Sequence, residues 1–302
     1  MDKETQIVGV EHLHYNLPPA IKLLEESNAQ TIGLEIPPKF LQVFEEIYKT
    51  SKNKTEKIRG LAELHLSEID SIKEYMNRAK RQFRIPEQFI QMLIRVLDQH
   101  KIQERNAIDR LDERLESHLE YFITSRPEIS TSLFFYSLFE KAKKAGKTVV
   151  PLESNNLDIM SKAYLGVLDA KGYGVTEDLG PLERLEIFLK KAQGPMRESH
   201  MAYQIAKHGV DLTFVGQGHV GVYGVQRILS KRGYKVKVQK LMKFYPMTEL
   251  DTKYMPVRKD YAEKMKRTHD AWWNRLEQQR ERQRQGLPAR EKRFTKTRQK
   301  LL

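Results

Sequence analysis

Apolar and polar positions alternate between two periods along this chain. Thr5 to Val10 is a short run rich in apolar and β-branched residues, which predicts a first strand. Leu17 to Ser27 is amphipathic and opens on Pro18-Pro19, a helix start. Gln30 to Glu35 predicts a second strand, stopped by Pro37-Pro38. A strand–helix–strand opening implies two parallel strands joined by a right-handed crossover.

The pattern then turns helical. From Phe40 to Lys144 nothing has the period of a strand. Phe89, Met92, Leu93, Val96 and Leu97, and later Ile108, Leu111, Leu115, Leu119 and Phe122, recur at helical spacing. This stretch, about 40–146, is far longer than an ordinary crossover. It is expected to cap the sheet edge or to make an oligomer contact. A helix over Ile129 to Ala145 closes at Gly146, and Lys147 to Glu153 predicts strand three. Lys171 to Pro181, with its glycines, is a loop. Helices over Leu182 to Ala192 and Pro195 to Lys207, strand four over Asp211 to Gly216, a helix over Val220 to Ser230 and strand five over Tyr234 to Gln239 complete the body. The expected fold class is α/β: a mostly parallel central sheet flanked by helices, with a large all-helical insertion between strands two and three.

Composition narrows the chemistry. The 302 residues contain no cysteine, which excludes disulfides and thiolate sites and leaves His, Asp and Glu as metal ligands. No apolar run reaches the length of a membrane span, and the first residues lack the shape of a signal peptide, so a cytoplasmic protein is expected. The net charge is +13, most of it in the last 45 residues: fifteen Lys or Arg against six Asp or Glu from Arg258 onward. An α/β domain over 1–257 and a basic, partly helical tail over 258–302 follow. Trp272, Trp273 and Tyr261 among the tail's cations suggest a weak nucleic-acid contact; the alternative is a solvated helix docked by its aromatics.

The ends of the predicted strands carry the chemistry. His12 follows strand one in Gly9-Val10-Glu11-His12, and His219 follows strand four in Gly216-Gln217-Gly218-His219. Glu35 ends strand two and Glu153 ends strand three. In one parallel sheet all four emerge at the carboxyl edge, where α/β proteins bind ligands. Two imidazoles and a carboxylate suit a divalent metal (Mn, Co or Zn), and a second carboxylate could take a proton from bound water. The expected metal ligands are therefore His12, His219 and Glu35, with His14 in reserve; Glu35 and Glu153 are the candidate catalytic acids. Arg197 is expected to orient substrate or to stabilise an oxyanion. The glycines would let the chain turn sharply, and a helix starting at His219 would keep its ring neutral. Gly216 to Gly221 also fits G-x-G-x-x-G, but Val236 to Lys240 holds no acid at the ribose position, which argues against a dinucleotide site.

These motifs in this order, with Leu34-Glu35, Leu152-Glu153, Met196-Arg197-Glu198 and Met201-Ala202, resemble the TraB/PrgY/GumN (Tiki-like) family, related to erythromycin-esterase-like and ChaN-like proteins. The resemblance implies an α/β sheet with inserted helices and a site built on both Gly-x-x-His elements. It implies metal-dependent hydrolysis of a peptide or amide bond in one branch, and capture of a peptide or cofactor without turnover in others. The resulting expectation is a metal-dependent hydrolase of a peptide or small-molecule substrate; a sequestering protein of the same fold is the alternative.

Overall fold

The computed structural model describes residues 3–10, 16–111, 119, 121–123, 125–172, 180–220 and 224–241, with scattered positions between 274 and 285. His12, His14, Leu115, Tyr261, Trp272 and Trp273 lie outside the described residues.

Among the described residues five strands form one sheet: β1 (Lys3–Val10), β2 (Thr31–Leu34), β3 (Thr148–Pro151), β4 (Leu212–Gly216) and β5 (Tyr234–Leu241). Their order is β3-β2-β4-β1-β5, and every pairing is parallel. The sheet is therefore the expected α/β one, with the late strand β4 inserted between the first two. At the amino edge Asp211 helps fix that position, since its Oδ2 accepts from the Gln30 and Thr31 N–H groups at 2.9 Å each.

Helices cover both faces, as a buried parallel sheet requires. On one face α1 (Leu17–Glu26), α2 (Pro38–Thr50) and α5 (Pro127–Lys144) pack Leu24, Phe44, Phe134 and Phe139 against Val8, Leu34 and Phe214. On the other, α8 (Arg197–His208) and α9 (Val225–Ser230) pack Met201, Ile205 and Leu229 against Ile7, Leu152 and Val215. Alternate strand residues point to opposite faces, so each strand supplies both cores.

Between β2 and β3 the described residues form α2, α3 (Lys54–Phe83), α4 (Glu87–Asp109) and α5, plus a short helical run at 121–123. They bury apolar clusters of their own. Phe89 and Leu93 join Met76 and Phe83 against Tyr164 and Leu185, which lie on α6 (Asn155–Gly172) and α7 (Gly180–Lys191). Ile108, Leu111, Leu119 and Phe122 pack with Ile58 and Leu66. Val96 breaks the expected pattern: it is 47% exposed, because the buried stripe of α4 runs through Phe89, Ile90 and Leu93 instead. The expected cap at Gly146 has the left-handed backbone that favours glycine, at φ +69°.

Candidate functional site

The pairing register brings Glu35, Glu153 and His219 to one edge. Leu34 lies beside Phe214 and Pro151, and Val10 beside Gly216. The Glu35 N–H donates to Phe214 O, and the Glu153 N–H to Ile36 O, so both acids leave the sheet held by neighbouring strands. Strands β1 and β4 are direct neighbours, so Gly9 and Val10 end beside Val215 and Gly216.

Arg197 sits between the carboxylates. Its Nη2 lies 2.8 Å from Glu35 Oε1, and its Nε bonds Glu153 Oε1. Both acids are buried, and the Arg197 side chain is 17% exposed. Burying either acid alone would be costly; the shared guanidinium compensates both. A π-helical turn over Ala192–Met196 delivers Arg197 to this position. Two separate helices were expected here, with Pro195 opening the second. Instead Pro195 lies inside a continuous α7–π–α8 run. Proline has no N–H to give to the helical ladder, and the widened turn accommodates that loss.

His219 completes the cluster. Its Nε2 lies 3.3 Å from Glu35 Oε1, and its Nδ1 lies 3.8 Å from Glu198 Oε1, an ion-pair separation rather than a hydrogen bond. Burial presses the imidazole toward neutrality, but Glu35 and Glu198 outweigh that and push its pKa up to about 9, with Arg197 pulling the other way. The neutral ring expected from a helix dipole is therefore not found. His219 ends a short 3₁₀ turn, Gln217–His219, and the following α-helix begins only at Val225. Glu198 is the member of this cluster that reading the sequence did not single out. Its place next to Arg197 in sequence gave no sign of a partnership with His219.

The glycines also act differently from expectation. Gly216 has an ordinary backbone at φ −55°, and its N–H donates to Glu35 Oε2. Gly9 is required by close packing: a Cβ there would lie 2.9 Å from Val220 Cγ2, just beyond His219.

Glu35 thus has both oxygens engaged, by Arg197 and His219 on one side and by the Gly216 N–H on the other. Glu153 Oε2 is buried and has no hydrogen-bond partner among the described residues. For a divalent metal the fit among the described residues is incomplete. Arg197 occupies the ground between the acids, and no three His, Asp or Glu side chains form a donor set. His12, the expected third ligand, lies outside the described residues.

Fold and site together define a parallel α/β protein with a buried carboxylate–guanidinium–imidazole cluster at the carboxyl edge of its sheet. No family model, curated protein or solved structure matches the chain. Among the described residues, no helix is long and apolar enough to cross a membrane.

Proposed function

We propose that this cluster is the active site of a hydrolase acting on peptide or amide bonds. The observation that carries the reading is the convergence of Glu35, Glu153, Arg197 and His219, drawn from four separate segments, at one edge of the sheet. His219, charged at neutral pH, is the general acid that protonates the departing amine. Glu153, whose Oε2 has no hydrogen-bond partner among the described residues, takes the proton from the attacking water. Arg197 stays cationic throughout and stabilises the oxyanion formed at the carbonyl carbon. Glu35 holds His219 and Arg197 in register with each other. The resemblance of the motif order to the TraB/PrgY/GumN family would imply hydrolysis of the same bonds, but with a metal.

A divalent metal on His12, His219 and Glu35 is the competing version. The 3.3 Å between His219 Nε2 and Glu35 Oε1 favours it, being a separation that two ligands of one ion adopt. It requires Arg197 to leave Glu35. The test is a peptide library offered to purified protein beside Glu153→Gln, Arg197→Met and His219→Gln, with elemental analysis of each sample. Cleavage by the wild type alone, with no bound metal, supports the proposal. Stoichiometric Zn, Mn or Co lost in His219→Gln transfers it to the metal version. A peptide retained intact by the wild type sinks hydrolysis in favour of a sequestering protein.

A further inference from the structure

A second group of buried charges lies outside this cluster, where α3 meets α6. Glu68 on α3 and Asp158 on α6 are both buried. Lys162, one turn beyond Asp158, serves both acids: its Nζ is 3.0 Å from Asp158 Oδ2 and bonds Glu68 Oε1. The same Nζ lies 4.9 Å from the centre of the Phe40 ring in α2. In the same corner the Lys39 N–H donates to Asn155 Oδ1 at 3.1 Å, and Lys39 Nζ donates to Ser67 Oγ at 3.0 Å. Helices α2 and α6 are the ones that continue from Glu35 and Glu153, so the seam joins α3 to both exits from the candidate site.

Among the described residues the charges in direct contact here do not balance: two buried carboxylates share the Lys162 ammonium, and the Lys39 ammonium bonds the neutral Ser67 instead. The other titratable groups facing them are His65 on α3, with Nδ1 3.8 Å from Glu68 Oε2, and beyond it His100 on α4, whose ring packs against His65 at 5.9 Å. Lys39 of α2 is engaged with Ser67. A proton is the simplest remaining counter-charge for the second acid. We infer that Glu68, Lys162 and Asp158 form a proton-operated latch, which fastens α3 to α6 while one proton is held between the two acids and loosens when that proton leaves. Titration supports the geometry. Burial pushes Asp158 up, Lys162 draws it back and Glu68 pushes it up again, leaving it at about 7. Against the same upward push of burial, Lys162 holds Glu68 below its ordinary value. The latch does not depend on the hydrolase reading.

Hydrogen exchange of the α3 and α6 amides in the full-length protein, corrected for intrinsic rates, tests the latch. With Asp158 at about 7 when closed and at its ordinary 3.8 when open, linkage predicts about tenfold more frequent opening at pH 8 than at pH 6. Asp158→Asn, neutral and of the same shape, is expected to lose that dependence and stay protected at both values. His65→Gln is expected to keep it. If Asp158→Asn does not fold, Glu68→Gln serves instead: it removes the charge that adds to burial in raising Asp158, so the dependence is expected to move to lower pH. Equal protection of the wild type at both pH values overturns the latch. So does a dependence that survives Asp158→Asn, or one that disappears in His65→Gln and so belongs to the imidazole.

Discussion

Arg197 makes the acids of the candidate site tolerable inside the protein. Replacing it with Met keeps its length but leaves Glu35 and Glu153 as buried charges without their shared cation. Such losses cost about 3–5 kcal/mol, so urea denaturation of Arg197→Met is expected to show a drop of that size at pH 7. The loss should shrink as the pH falls and the carboxylates protonate. His219 has its own signature. Its folded pKa of about 9 lies above the ordinary 6.5, so its contribution to stability is complete below pH 6.5 and disappears as pH rises toward 9. His219→Gln should therefore destabilise the protein at pH 6 and have little effect near pH 9.5. An NMR titration of the imidazole with a midpoint near 6.5 would refute the charge assignment.

At the scale of elements, α2 and α3 approach so closely that α3 carries a glycine in its interior. A Cβ on Gly60 would lie 2.8 Å from Ile47 Cδ1 and Cγ1. Alanine gains about 1 kcal/mol of helix propensity over glycine, but Ile47 is buried and has little room to yield. The clash is expected to win: Gly60→Ala should lower stability by about 1–3 kcal/mol. In an Ile47→Ala background the same change should become neutral or stabilising, a coupling that a double-mutant cycle in denaturant measures directly. The start of α3 offers a simpler test. The Asn53 side chain accepts from the Glu56 N–H at 2.9 Å, and Asn53→Ala should cost about 1 kcal/mol in a thermal melt.

For the whole molecule, Asp158 and His219 act in the same direction over adjoining pH windows. Asp158 binds a proton more tightly folded than unfolded, so its share of stability falls as pH rises from 3.8 to about 7. The share of His219 falls from 6.5 to about 9. His200, which burial presses down to about 4, opposes them below pH 6.5, but the two together outweigh it between pH 5.5 and 8.5. The denaturation midpoint is expected to be higher at pH 5.5 than at pH 8.5, and the Asp158→Asn, His219→Gln double variant should flatten that difference. A midpoint that rises with pH in the wild type would contradict both assignments.

The order of elements and the placing of His219, Glu35 and Glu153 just beyond their strands were legible in the sequence, because strand and helix periods are local and glycine and proline mark their ends. The parallel sheet followed from the strand–helix alternation. Val96 shows where such reading stops: helical spacing marks a stripe, but the neighbouring helices decide which side of it is covered. The insertion of β4 between β1 and β2 arises from contacts between residues about 180 positions apart, such as Asp211 with Gln30 and Thr31. The charge on His219, the partnership of Glu198 and the Glu68–Lys162–Asp158 seam were likewise decided only by the tertiary structure. A side chain's protonation depends on burial and on every charge near it, and that environment does not exist until distant segments pack together.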